Sequence, residues 1–131
     1  MSVPITMQVP TDFITDADVG SEDRGDEARA ELEALLAEGE AVVIATAGKA
    51  GCALFTDRRI IVRSQAGVFT KRPVVHFIRG GAIDGATIDA SDSVVLRLVG
   101  RGFGGATFAF DSATDPARLA RWCADAMSQA S

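Results

Sequence analysis

The sequence predicts a mainly β domain: about seven short antiparallel strands forming a barrel or sandwich, capped by a C-terminal amphipathic helix, plus an N-terminal helix. Three observations carry this expectation. From position 41 to 111 apolar residues recur with a period near two, interrupted by Gly, Asp and Ser clusters that mark turns. After position 115 the period lengthens to that of a helix and leaves one complete apolar stripe. Hydrophobic residues make up 47% of the 131, enough for a core without metal or disulfide help.

Residues 1–25 read as an N-terminal arm and acidic linker, and 26–131 as the folded domain. Pro4 and Pro10 weaken any central strand, while Val3, Ile5, Met7 and Val9 alternate as in an edge strand or an arm lying on another surface. "TDADVGSEDRGDE" is polar, acidic and broken twice by Gly, which is linker composition. A helix is expected over 26–38, with Ala28, Leu32, Leu35 and Leu36 on one stripe and Gly39 as its C-terminal stop. Strands follow at 41–47, 52–56 and 59–64, the first two joined by the turn "GKAG".

The stretch "GCALFTDRRIIVR" (51–63) sets Thr56, Asp57, Arg58 and Arg59 between two apolar runs. Thr and Asp side chains accept hydrogen bonds from nearby backbone N–H groups, so the four polar residues predict a tight turn and the flanking runs a hairpin. Arg58 or Arg59 is expected to pair with Asp57 or to bond exposed carbonyls. Further on, 68–72 reads as a short strand stopped by Pro73, and 74–79 as its resumption. The segment 82–89 reads as a strand with Gly85 at a bulge, and 94–100 and 106–111 as clear alternations. Thr114 or Asp115 is expected to cap the last helix with Pro116 at its first position. Leu119, Trp122, Cys123, Ala126 and Met127 then fall on one face.

Strand–helix order and three local cues resemble the bacterial pleckstrin-homology (PH-like) domain family. "LLAEGE" (35–40), "FTDRRIIV" (55–62) and "VVHFIRGGAI" (74–83) stand where that family shows a Gly-Glu, a Leu-Thr-Asp-Arg-Arg-Leu hairpin and an Ile-Pro-Tyr-x-x-Ile strand end. Phe55 replaces the first Leu, Ile60 the second, and His76-Phe77-Ile78 stands at the Pro-Tyr region. The resemblance spans about 35–127 and implies the PH-like fold. It also implies self-assembly, since several proteins of this kind look like symmetric rings. Phosphoinositide binding by eukaryotic relatives uses a basic loop between the first two strands. Here that loop holds Lys49 alone, so lipid binding is not carried over.

Composition and spacing exclude several chemistries. Eighteen Asp and Glu against thirteen Lys and Arg give a net charge of −5, which argues against sequence-independent nucleic-acid binding. Cys52 and Cys123 do not form a disulfide framework and read as small buried hydrophobes. "GRGFGG" (100–105) matches a dinucleotide fingerprint, but a strand pattern follows it where a helix is required, so it reads as a hairpin loop. His76 reads as a half-buried strand residue. No catalytic, cofactor or metal site is expected. The N-terminus lacks the basic and apolar regions of a signal peptide, and no apolar run approaches a membrane span, so a soluble cytoplasmic protein is expected.

The resulting expectation is a non-enzymatic, homo-oligomeric scaffold or protein-interaction module, partnered by itself or another protein. The alternative is a binding domain for an anionic small molecule or lipid headgroup through Arg58, Arg59, Arg63, Lys71, Arg72 and Arg79.

Overall fold

A computed structural model describes residues 14–66, 70–111 and 113–129. Among them, eight strands and two α-helices build two four-stranded sheets. One sheet runs β1 (Ile14–Gly20), β8 (Gly104–Phe110), β7 (Val94–Gly100), β6 (Ile83–Asp89). The other runs β2 (Val42–Ala47), β3 (Cys52–Thr56), β4 (Arg59–Ala66), β5 (Arg72–Arg79). The sheets do not join into a closed barrel, so the expected barrel or sandwich is realised as a sandwich. Helix α1 (Gly25–Leu32) lies on the second sheet, and α2 (Pro116–Met127) packs into the space between the sheets.

The inner faces follow the alternation in the sequence. Ile44, Phe55, Ile60, Val62 and Ile78 meet Val19, Leu96, Leu98, Phe108 and Phe110 across the core. The buried residues of α2 are Leu119, Trp122, Cys123 and Ala126, whereas Met127 is exposed despite its place on the stripe. Phe55 is the centre, with the rings of Trp122, Phe110 and Phe108 at 5.1, 5.9 and 6.1 Å. A second cluster forms on the outer face of the β2–β4 sheet, where Ala28 and Leu32 of α1 cover Cys52, Leu54 and Ile61. Strand β3 is therefore buried on both faces throughout. A strand covered on both sides reads as a continuous apolar run, which is the form of "CALF".

Several expectations are corrected. The linker reading of residues 15–25 does not hold, because Ile14–Gly20 is a strand paired in parallel with β8. Ala17 and Val19 are buried and Asp18 between them is exposed, a half-buried strand alternation. The Asp18 carboxylate accepts the Gly20 N–H at 3.2 Å. Gly20 is irreplaceable by geometry: its φ is +68°, and a Cβ there would sit 1.9 Å from the Ala47 carbonyl oxygen. The first helix is shorter than expected, ending at Leu32 in a 3-10 turn, Glu33–Leu35, with Leu35 exposed. Pro73 does not interrupt β5, since it sits opposite Gln65 within the ladder on a strand that, among the described residues, has no partner on its other side. Of the short strand expected at 68–72, positions 68 and 69 lie outside the described residues, as does the alternating set at 3–9.

Other expectations hold. A register shift between Ile83 and Gly85 places the bulge on β6. "GRGFGG" is the β7–β8 hairpin, with Gly102 and Gly104 at positive φ and β8 following directly. Asp115 caps α2 by accepting the Ala117 N–H at 2.9 Å, and Pro116 opens the helix. Both cysteines are free and buried.

Trp122 contributes ring packing on Phe55 and an indole N–H donated to the Thr56 carbonyl at 2.7 Å. Trp122→Ala is expected to lower stability by roughly 3–5 kcal/mol, measured by urea unfolding. A loss below about 1 kcal/mol would show that α2 is peripheral to the core.

Candidate functional site

The Thr56–Arg59 turn joins β3 to β4, and its polar side chains face a carboxylate from another part of the chain. Glu40, just before β2, is buried, and its side chain has no solvent contact. The Arg59 guanidinium grips it with two parallel bonds of 2.9 Å, Nε to Oε2 and Nη2 to Oε1. The Thr56 hydroxyl donates to Oε2 at 2.6 Å and accepts the N–H groups of Arg58 and Arg59 at 3.1 and 3.0 Å. The Ala37 N–H donates to Oε1 at 2.8 Å. Gly39, at φ +78°, makes the turn that presents this carboxylate. The Arg59 bonds above all, outweighing burial, hold the Glu40 carboxyl far below its ordinary value, at about 2.

The turn is also tied by its backbone. Asp57 exchanges two bonds with Ala41, its N–H donating to the Ala41 carbonyl and its carboxylate accepting the Ala41 N–H. Its carbonyl accepts Gln129 Nε2 at 2.7 Å, and the Arg58 carbonyl accepts the Gly80 N–H at 2.9 Å. Of the two expectations for this turn, Arg59 bonds a carbonyl, that of Leu35, and its ion pair is with Glu40 in place of Asp57. Glu40 was the residue sequence reasoning left without a role. The signal for it was the Gly-Glu placed ahead of a Thr-Asp-Arg-Arg hairpin.

The six predicted cations do not all remain available. Arg59 is held by Glu40 and also donates to the Leu35 carbonyl at 2.8 Å. Arg63 is held by Glu31 of α1 at 2.6 and 3.1 Å and donates to the Ala50 carbonyl. Arg58, Lys71, Arg72 and Arg79 are exposed. Arg79 stands directly opposite Arg59 in the β4–β5 ladder, while Arg72 pairs at the far end with Ala66.

On the outer face of this ladder an apolar surface is open. Phe77 is 50% exposed with the Arg59 guanidinium 5.1 Å above its ring, and Val75 and Leu35 are exposed beside it.

Two clefts flank α2. One, of about 240 Å³, is lined by Val43, Thr56, Asp57, Arg121, Trp122 and Gln129. The other, of about 230 Å³, is lined by Glu22, Asp23, Asp26, Arg29 and Arg118. Arg118 borders both and is held by Glu22 and by the Val43 carbonyl. No group of three or more metal-ligating side chains occurs among the described residues. Burial pushes the Cys52 and Cys123 thiols up to about 11, so both are protonated near neutral pH and poor nucleophiles. Burial also lowers the pKa of His76 on β5.

Comparison with known proteins finds similar solved structures, among them two from Shewanella. One is a DUF1696 family protein with a pleckstrin-homology domain from Shewanella loihica PV-4, with a TM-score of 0.66 at 20% identity, covering 82% of this chain and 96% of that one. The other is a pleckstrin homology domain from Shewanella amazonensis SB2B, with a TM-score of 0.61 at 22% identity, covering 83% and 92%. The fold is that of a bacterial pleckstrin-homology domain. No family model and no curated protein matches the sequence. No helix among the described residues of this PH-like domain is long and apolar enough to cross a membrane.

Two consequences of the Glu40 site are measurable. Glu40→Ala leaves the Arg59 guanidinium without its carboxylate and is expected to cost about 3–5 kcal/mol in urea unfolding. Because the Glu40 pKa is lowered in the fold, its contribution is complete above the ordinary value of 4.5 and is lost as pH falls through about 2. At about 1.4 kcal/mol per pKa unit, the drop from 4.5 to about 2 is on the order of 3 kcal/mol. The variant should lack this part of the acid loss, and an identical acid profile would contradict the assignment. Asp57→Ala removes only the bond to the Ala41 N–H and is expected to cost about 1 kcal/mol by the same measurement.

Proposed function

We propose that this PH-like domain is a non-enzymatic module that works by self-association, as a homo-oligomeric scaffold or protein-interaction domain. The observation that carries the reading is the open apolar strip of Phe77, Val75 and Leu35, with Arg59 stacked on Phe77. Helix α1 covers the neighbouring part of the same sheet face but leaves this strip to solvent. A solvent-exposed aromatic backed by a fixed arginine has the composition of a binding hot spot, and the fixed geometry reduces the entropy lost on docking. The buried, protonated thiols support a role other than nucleophilic catalysis. The anionic-ligand alternative would rest on Arg58, Lys71, Arg72 and Arg79, since Arg59 and Arg63 are engaged by Glu40 and Glu31.

Light scattering across a dilution series tests this reading. A mass that is a multiple of the 13.7 kDa chain is expected, and Phe77→Ser should lower it while leaving the unfolding curve unchanged. A monomer mass at micromolar concentration would overturn self-association and favour the anionic-ligand alternative.

A further inference from the structure

Helix α2 is tied to the second sheet by three side-chain bonds spread along its length. Arg118 Nη2 donates to the Val43 carbonyl, Trp122 Nε1 to the Thr56 carbonyl and Gln129 Nε2 to the Asp57 carbonyl, each at 2.7 Å. The Arg118 end of the helix therefore meets β2, and the Gln129 end meets the β3–β4 turn. The cleft of about 240 Å³ lies between these ties. Part of its lining is apolar. Trp122 has already given its N–H to Thr56, so it offers the cleft only its ring, and Ala126 follows one turn later on the helix. Val43 faces them and is 43% exposed.

The charged groups on this cleft are not used up by the fold. Among the described residues Arg121 is in no ion pair, and neither is Asp125. Asp125 takes part in the hydrogen bonding there through its carbonyl, which accepts the Ser128 hydroxyl, and its carboxylate stays open. Asp57 gives one carboxylate oxygen to the Ala41 N–H and keeps the other. Arg118 is different, because Glu22 neutralises it. Arg121 and Asp125 stand four residues apart on α2, about 6 Å along its axis, which is the spacing at which opposite charges meet on a helix. Arg ahead of the acid is the weaker order for such a pair, and here the pair does not form. A free cation and a free carboxylate thus border one cleft without neutralising each other.

This arrangement selects for a ligand that carries both signs. An anion alone would gain Arg121 but sit against Asp57 and Asp125, and a cation alone would gain the two acids but sit against Arg121. A zwitterion satisfies all three. Size narrows the class further. A water takes about 30 Å³ of liquid, so the cleft has room for the equivalent of about eight waters. That suits one amino acid and is small for a longer peptide. We propose that this cleft binds a free α-amino acid with an apolar side chain. Its carboxylate pairs with Arg121, its ammonium with Asp125 on the side where Asp57 lies, and its side chain rests on Val43, Trp122 and Ala126. The site shares no residue with the Phe77 strip on β5, so it does not depend on whether the chain self-associates.

Titration calorimetry on the full chain with L-leucine, L-isoleucine and L-methionine tests the assignment. At least one of the three is expected to bind in the millimolar range or tighter. Its amide, which lacks the carboxylate, and its N-acetyl form, which lacks the ammonium, should each bind roughly tenfold more weakly, since each loses one charge-assisted contact. Arg121→Gln should weaken the amino acid by a similar factor and leave the amide unaffected. Asp125→Asn should do the same with the N-acetyl form as the unaffected ligand. Neither side chain makes an internal ion pair, so both variants should keep the unmodified unfolding curve, which separates a lost site from a lost fold. Trp122 is the one tryptophan of the chain and lines the cleft, so its emission should change as the ligand saturates. No heat from any of the three amino acids in the millimolar range would overturn the proposal. So would capped forms that bind as well as the amino acid, or an affinity that neither substitution changes.

Discussion

The buried carboxylate of Glu40 is the constraint around which the second sheet is organised. Burying a charge is costly unless it is paired and its remaining oxygen sites are bonded, and here four donors converge on the two oxygens. Two of those donors come from Arg59, one from Thr56 and one from the backbone at Ala37. Satisfying the carboxylate therefore fixes the loop after α1, the start of β2 and the β3–β4 turn in one arrangement. The same turn then reaches α2 through Trp122 and Gln129, and the β5–β6 connection through Gly80. A single charged group thus holds together segments that a hydrophobic core alone would leave free to slide.

Around this point the packing has two layers of cover. The sandwich interior is apolar and centred on Phe55, and α2 fills the opening between the sheets. The outer face of β2–β4 is sealed by α1, with the Arg63–Glu31 pair pinning the helix to β4. Beyond α1 the cover stops, and among the described residues β5 is left with one bare face and one bare edge. That is why Arg59 has two roles: its donors go to Glu40 and Leu35, and the flat face of its guanidinium lies over Phe77. The internal ion pair orders the surface that the proposed association uses.

Much of the fold was legible because local chemistry and global structure agree. The strand alternations, the bulge at Gly85, the glycine hairpin at 100–105 and the Asp115–Pro116 start of α2 each depend on neighbours a few residues away. β1 was not legible. Its acidic residues and Gly20 look like a linker, and its strand form depends on a parallel pairing with β8, some ninety positions distant. The helix boundary failed for a similar reason. Leu35 lies on the helical stripe, but the chain must leave the helix early for its carbonyl to meet Arg59 and for Glu40 to enter the sheet.

The sequence by itself determined the class of the domain, the run of strands that follows β1, its capping helix and the presence of a structured turn at Thr56–Arg59. It did so because periodicity, turn residues and caps are short-range properties. Only the tertiary structure decided what the charged residues do. Arg59 and Arg63 read in the chain as surface cations among six, and they became internal fixtures because the fold carries Glu40 and Glu31 to them from 19 and 32 positions away. Arg72 and Arg79 stayed at the surface because β5 is the last strand of its sheet. Whether a charge serves the fold or the surface depends on its spatial neighbours, and spacing along the chain does not encode them.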